Sequence, residues 1–398
     1  MEALINKYRR LLSIDISGYR RSLNDKINWD ARAICIEGAR GTGKSTLMLQ
    51  RIKSALPLDL TLYTSLDDLY FRQNSLVDVA ERFYSLGGRY LFLDEVHKYN
   101  DWQTAVKNIY DFLPEMNLVI SGSSILELQR SRADLSRRVL HYHLPELSFR
   151  EYLGLRHGID APIYTLEDIL GNHGTIAGEL NKFLKSPLKL MREYLTFGAY
   201  PFIVEGEGYF LMRVNQLINV IIDYDLPEAK VLESVTLAKL KKLLYIISTS
   251  VPFQPNTTKL AALTDTSRSR LLDMLHILEQ SQLIHNLRSS VHGISLMNKP
   301  DKIYLHNTSL IAALAEGNPD TGNLRETFFL AQVRNSGATV TYPKTGDFMV
   351  NDKYLFEVGG KNKTAAQIRG NESAFVVADD IEFGFANKIP LWLFGFLF

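Results

Sequence analysis

Cys35-Ile36-Glu37-Gly38-Ala39-Arg40-Gly41-Thr42-Gly43-Lys44-Ser45-Thr46-Leu47 is the stretch on which the fold turns. Gly38 to Ser45 fits a glycine, four variable residues, then Gly-Lys-Ser, the spacing of a phosphate-cradling loop. Glycines let the backbone curl until successive N–H groups point inward, and the helix that follows turns the positive end of its dipole toward the same point. In such a loop Gly38, Ala39, Arg40, Gly41, Thr42, Gly43, Lys44, Ser45 and Thr46 surround the phosphates of ATP. Lys44 reaches the β- and γ-phosphates, and the Ser45 hydroxyl holds Mg²⁺. The flanks agree: Ala31 to Ile36 is short and apolar, as a buried strand is, and Thr46 to Ala55 has a helical pattern.

Downstream, Leu58 to Thr64 alternates as a second strand, with Ser65, Asp67 and Asp68 opening a helix behind it. Arg89-Tyr90-Leu91-Phe92-Leu93-Asp94-Glu95 is an apolar run ending in two carboxylates, and Asp94 lies 50 residues past Lys44. A parallel αβ sheet brings an acidic strand at that distance to end beside the phosphate loop. There Asp94 holds Mg²⁺ through water, and Glu95 polarises the attacking water. His97, in Val-His-Lys-Tyr-Asn-Asp-Trp102, either couples the γ-phosphate to the next segment or sits on a surface loop. Asn117 to Ser124 is a further strand ending in small hydroxyls. Ser121 or Ser123 therefore either senses the γ-phosphate or belongs to a turn into a helix at Ile125 to Gln129. Arg130, Arg132, Arg137 and Arg138 cluster next. Arg137 or Arg138 is the candidate finger that neutralises charge as the phosphoryl bond breaks, acting within the chain or on a neighbouring subunit, set against the ordinary reading of a solvated basic face.

The whole chain bounds these readings. Its 398 residues suggest two or three domains, and 46% hydrophobic with 22% charged residues is the composition of a soluble globular protein. A formal charge of +1 gives no global argument for nucleic acid or membrane, so such a partner has to be read from a local patch. The single cysteine, Cys35, excludes an intramolecular disulfide and suits a reducing cytoplasm. Met1 to Arg10 has no apolar run of signal-peptide type. Ile389 to Phe398 is about half the ~20 residues a spanning helix needs and is expected as a buried terminal strand.

Together, Gly38-Ala-Arg-Gly-Thr-Gly-Lys-Ser-Thr, Leu91-Phe-Leu-Asp-Glu-Val-His-Lys with Asp101-Trp102, Ile120-Ser-Gly-Ser-Ser, Leu135-Ser-Arg-Arg-Val and Leu147-Ser-Phe-Arg-Glu-Tyr-Leu resemble the prokaryotic AAA-type ATPases with a C-terminal domain of unknown function. The resemblance continues through Phe197-Gly-Ala-Tyr-Pro, Lys302-Ile-Tyr-Leu-His-Asn-Thr-Ser-Leu and Phe356-Glu-Val-Gly-Gly-Lys, and so covers most of the chain. It implies an ATP-binding core, then a winged-helix region, then a fold similar to the PD-(D/E)xK nucleases.

The second half reads in keeping with that order. Thr258 to Leu263 and Thr266 to Gln280 have the spacing of a helix-turn-helix, with Leu283 to Arg288 and Gly293 to Met297 as strands of a wing. As a DNA reader it would use Arg268 or Arg270 at the N-terminal end of the second helix; as an interdomain strut it would use neither. Farther on, Asp347 and Glu357 fall on adjacent strands and could share one Mg²⁺, with Glu326 as a third carboxylate. The lysine expected two residues after the glutamate is absent, since that position is Gly359. Strand alternation puts Lys361 on the same face as a substitute. An active nuclease and a degenerate fold kept for binding both remain open.

The expectation is an α/β protein: a P-loop NTPase parallel sheet with helices on both faces, a helical and winged-helix region, and a small α/β nuclease-like domain. The expected boundaries are 1–30 for a helical lead-in, 31–155 for the ATPase core, 156–235 for a helical connector, 236–300 for the winged helix and 301–398 for the nuclease-like part. The expected activity is a Mg²⁺-dependent ATPase acting as a switch on the C-terminal region. The alternatives are ATP-gated DNA binding or processing through 258–297, and a nucleotide-regulated scaffold for protein clients. An oligomer is compatible with each.

Overall fold

Ala33–Glu37 (β1) is buried at all five positions and lies inside a parallel five-stranded sheet of order β2-β3-β4-β1-β5. Its partners are Thr61–Ser65 (β2), Tyr90–Asp94 (β3), Asn117–Gly122 (β4) and Leu140–His143 (β5). A continuous apolar run is what a strand covered on both faces requires. Among the described residues, the helices of this part are Glu2–Ser13 (α1), Leu23–Lys26 (α2), Lys44–Ala55 (α3), Leu76–Ser85 (α4) and Trp102–Phe112 (α5). The computed structural model describes every residue except 17, 123–134, 136, 230–231, 250–255, 290–298, 316–318 and 369.

The register brings Glu37 opposite Gly122, Ile36 opposite Ser121 and Ser65 opposite Asp94. The C-terminal ends of β1, β3 and β4 thus share one edge of the sheet, and the phosphate loop leaves from that edge. β4 separates β1 from β3, so Asp94 is two strands from the loop's own strand rather than on its neighbour. Two local expectations shift. Leu58–Leu60, after Pro57, coils as a 3-10 turn and delays β2 to Thr61. The helix after the loop starts at Lys44, because Gly43, at φ 94°, ends the loop.

The chain divides into two compact units, Met1–Glu146 and Leu147–Phe398. The second opens with helices Phe149–His157 (α6), Leu166–Leu184 (α7), Pro187–Phe197 (α8), Phe210–Val220 (α9), Leu226–Ala229 (α10) and Ser234–Thr249 (α11). Ser148 with Glu151 and Thr165 with Asp168 form reciprocal capping boxes that fix where α6 and α7 start. Thr257–Leu263 (α12) and Arg268–Gln280 (α13) follow, then Ile284–Leu287 (β6), paired antiparallel with Lys302–Leu305 (β7). The wing strand expected at Gly293 to Met297 lies outside the described residues, as does the helix expected at Ile125 to Gln129.

Thr308–Leu314 (α14) and Thr321–Asn335 (α15) lead into a second sheet of order β12-β11-β10-β9-β8. It is made of Val340–Thr341 (β8), Phe348–Val350 (β9), Tyr354–Gly359 (β10), Ala374–Ala378 (β11) and Lys388–Pro390 (β12). The strand expected over Ile389 to Phe398 is corrected: Pro390 has no N–H to extend the ladder, and Leu391–Phe396 winds into a buried 3-10 helix. Its rings fill the core instead. Phe394 packs 4.9 Å from Phe329, and Phe396 packs 5.6 Å from Phe149, centroid to centroid.

Candidate functional site

The loop Gly38–Lys44 takes a shape that favours glycine at three places, Gly41 among them at φ 82°. A Cβ on Gly38 would lie 2.3 Å from the Leu144 carbonyl oxygen, and Gly43 sits in the left-handed region. Thr42, fully buried, donates its hydroxyl to the Ala39 carbonyl at 2.9 Å. The Lys44 ammonium, also buried, donates to the carbonyls of Gly38 (3.0 Å) and Ala39 (2.9 Å). Arg21 braces the loop from outside, donating to the Thr42 carbonyl at 2.7 Å and to the Pro145 carbonyl at 2.7 Å. Nothing local marks Arg21, whose partners are 21 and 124 residues away. The α3 N-terminus has no side-chain cap, so its first amides suit an anion.

Across the sheet edge, Asp94 is buried and tightly held. Ser121 donates its hydroxyl to Oδ1, the Glu95 N–H donates to the same oxygen at 3.1 Å, and the Tyr63 hydroxyl donates to Oδ2 at 2.6 Å. Burial, then the Asp94 carboxylate, pushes the Tyr63 hydroxyl far up from its ordinary range, while a hydrogen bond from the Ser45 side chain works the other way. Ser45 from the loop and Asp94 from β3 therefore face one hydroxyl. A hydroxyl and a carboxylate are the oxygen donors a Mg²⁺ ion takes in nucleotide sites, and the donor set fits that ion. Ser121 is engaged with Asp94; Ser123 lies outside the described residues.

Glu95 adopts φ 51° and ψ 45°, a left-handed conformation that a non-glycine residue holds only at a cost and that recurs at functional positions. The surface-loop alternative for His97 is corrected. Its side chain is 2% exposed, with Nε2 3.4 Å from Glu95 Oε2 and neither ring nitrogen hydrogen-bonded. Burial, followed by the charges of Lys98, Lys44 and Arg40, drops the His97 pKa to about 3, so the imidazole is neutral at physiological pH. Between about 3 and 6.5 the unfolded chain binds the proton that the folded chain refuses. Stability must therefore rise with pH across that window and fall as pH drops through it. Urea unfolding at pH 7, 6, 5 and 4 should show a shallower acid loss for His97→Asn than for the wild type; equal slopes would overturn this.

Arg138 is corrected as an in-chain finger. Its Nε and Nη2 form a fork onto Asp111 at 2.9 and 3.0 Å, and this pair, near Arg32, lies at the sheet edge opposite the phosphate loop. The guanidinium beside Asp111 holds that carboxyl below its usual range. Arg137 is exposed, and Arg130 and Arg132 lie outside the described residues.

In the second unit, Glu326, Asp347 and Glu357 converge, but the cations among them were not foreseen. Lys302 from β7 places Nζ 3.3 Å from Glu326 and 3.1 Å from Asp347. Lys363, rather than Lys361, reaches Glu357 at 2.6 Å, and Lys361 is exposed. The reason is steric: the Lys363 side chain lies over Gly359, where a Cβ would meet its Cδ at 2.7 Å. Arg268 is exposed, and Arg270 lies 3.5 Å from Glu233. Among the described residues no helix is long and apolar enough to cross a membrane.

Residues 30–153 match an AAA domain family, and residues 188–321 match a domain of unknown function (DUF8612). The chain thus carries an AAA-type P-loop ATPase domain followed by a domain of unknown function. It is similar to the uncharacterized protein MJ1637 of Methanocaldococcus jannaschii, 28% identical over 402 residues, covering 91% of this chain and 82% of that one. Among solved structures it is similar to the Walker-type ATPase PABY2304 of Pyrococcus abyssi, with 12% identity, 77% of this chain and 99% of that chain covered, and a TM-score of 0.44. A likeness to the S. cerevisiae Hsp104–ADP complex has 14% identity, 84% of this chain and 55% of that one covered, and a TM-score of 0.25.

Proposed function

We propose that the protein hydrolyses ATP with Mg²⁺ and works as a nucleotide-driven switch on its C-terminal unit. One observation carries the reading: the glycine loop that bears Lys44 and Ser45 leaves the same edge of the sheet at which Asp94 ends β3, its carboxylate held by Ser121 and Tyr63. Lys44 would exchange the carbonyls of Gly38 and Ala39 for the β- and γ-phosphates, and the uncapped amides of α3 would take the phosphate oxygens. When bound, Mg²⁺ neutralises phosphate charge during transfer. Ser121 and the Glu95 N–H keep Asp94 oriented. Glu95 would position a water and take its proton, and the buried neutral His97 beside it limits competing charge.

The test is equilibrium binding of a fluorescent ATP analogue together with phosphate release. Lys44→Ala should weaken binding by at least about tenfold, the loss of hydrogen bonds to a charged donor, and bring release to background. Unchanged binding and release would end the reading.

In the second unit we infer a winged-helix-like strut and a nuclease-like fold without nuclease activity. Two observations support this. Arg270 and Arg288 are paired with Glu233 and Glu279, and Lys302 and Lys363 already compensate the three carboxylates.

A further inference from the structure

We propose that Cys35, Glu37 and His141 form a binding site for a transition-metal ion of the zinc class, set where the edge strand β5 pairs with β1. It uses none of the residues assigned to the nucleotide and does not rest on the ATPase reading.

Cys35 and Glu37 are two apart on β1 and so present their side chains to one face of the sheet. The parallel register sets His141 of β5 opposite Cys35, and its Nδ1 lies 2.5 Å from Glu37 Oε1. One donor atom from each of the three residues lies within 4.8 Å of the other two. Bonds of about 2.0–2.3 Å in a tetrahedron space donors roughly 3.3–3.8 Å apart, so rotation of the side chains closes the set without moving either strand. Lending a nitrogen breaks no contact of His141 outside the set: Nδ1 meets Glu37, and Nε2 is buried with no hydrogen bond among the described residues. The donor types choose the ion. A thiolate and an imidazole are poor ligands for Mg²⁺ and good ones for Zn²⁺ or Co²⁺, and a carboxylate completes such sets. As the metal–sulfur bond forms, the thiol proton leaves to solvent. Thiolate and carboxylate together then neutralise a divalent ion, so the buried site carries no net charge. Cys35 is fully buried, but the His141 side chain is 20% exposed on the edge strand and gives the ion a way in, with water in the fourth place. Sequence spacing does not announce such a set, because His141 follows Glu37 by 104 residues.

Full-length protein stripped of metal is titrated with Co²⁺ in the absence of nucleotide, and the thiolate-to-cobalt charge-transfer band in the near ultraviolet is read. The band should saturate at one Co²⁺ per chain and vanish when Zn²⁺ displaces the cobalt. Cys35→Ser should lose it. Glu37→Gln and His141→Gln keep the thiolate and should weaken Co²⁺ binding at least about tenfold, since removing a ligand costs no less than removing a group that orients one. His141 lies partly exposed on an edge strand, so its variant keeps the test open if a change at the buried Cys35 prevents folding. No band in the wild type overturns the proposal, as does a band that survives Cys35→Ser. Unchanged Co²⁺ affinity in both Glu37→Gln and His141→Gln overturns it too, since a thiol alone would then hold the ion. With no nucleotide present, each of these results leaves the ATPase reading as it was. Wild type that binds no ATP analogue would sink that reading and leave the cobalt spectrum untouched.

Discussion

Glu95→Gln should leave nucleotide binding within about threefold of wild type and lower phosphate release by about 10²–10⁴-fold, the range ascribed to a positioned proton acceptor. The amide keeps the size of the side chain, and the main-chain N–H that Glu95 gives to Asp94 does not depend on it. On the proposed reading the metal and phosphate contacts would survive while the carboxylate's basicity is lost. Its left-handed backbone argues that this side chain is aimed rather than incidental. His97, 3.4 Å away and neutral, raises no charge that would satisfy Glu95 in place of a water. The measurement is single-turnover phosphate release beside equilibrium binding of the same nucleotide. Equal release from both proteins would remove Glu95 from the chemistry and leave the loop as a binding site alone.

Local pattern carried much of this site. Gly38 to Ser45 and Tyr90 to Glu95 announce themselves because both the loop conformation and the acidic strand end are dictated by neighbours in the chain. Their meeting required a sheet of a particular order, which short segments do not encode. The insertion of β4 between β1 and β3 is what brings Ser121 onto Asp94. Tyr63 reads as one more aromatic in an alternating strand, because its role lies in a contact with a residue 31 positions on. Arg138 shows the converse: its type suits a finger, but β5, the strand that follows it, starts at the sheet edge away from the loop, which bears on a finger within the chain and not on one lent by a neighbouring subunit. Lys361 failed where period-two alternation was carried past Gly359 and Gly360, since a strand's rule ends with the strand. Lys302 opens a four-residue strand, too short a pattern to signal that its ammonium turns inward between two carboxylates from elsewhere.

That lysine carries the largest stability effect in the second unit. Lys302→Met should destabilise the protein by about 3–5 kcal/mol at pH 7, the cost of removing one partner from a buried ion group. Burial alone pulls the Lys302 ammonium down, yet Glu326 and Asp347 outweigh it and hold its pKa up. Burial meanwhile pushes the Glu326 carboxyl up despite Lys302 and the 2.6 Å hydrogen bond from Tyr304. One ammonium serving two carboxylates accounts for both directions. Without Lys302, Glu326 holds its proton to still higher pH. The folded variant then binds more protons than the unfolded chain above the ordinary glutamate range, so its stability falls as pH rises. The deficit against wild type should accordingly shrink as pH drops from 7 toward 5 in chemical denaturation. Lys302→Met combined with Glu326→Gln and Asp347→Asn should recover most of the loss, because neutral groups of the same shape leave no buried charge uncompensated. A single variant as stable as wild type at every pH would mean that water, not Lys302, pays for these carboxylates.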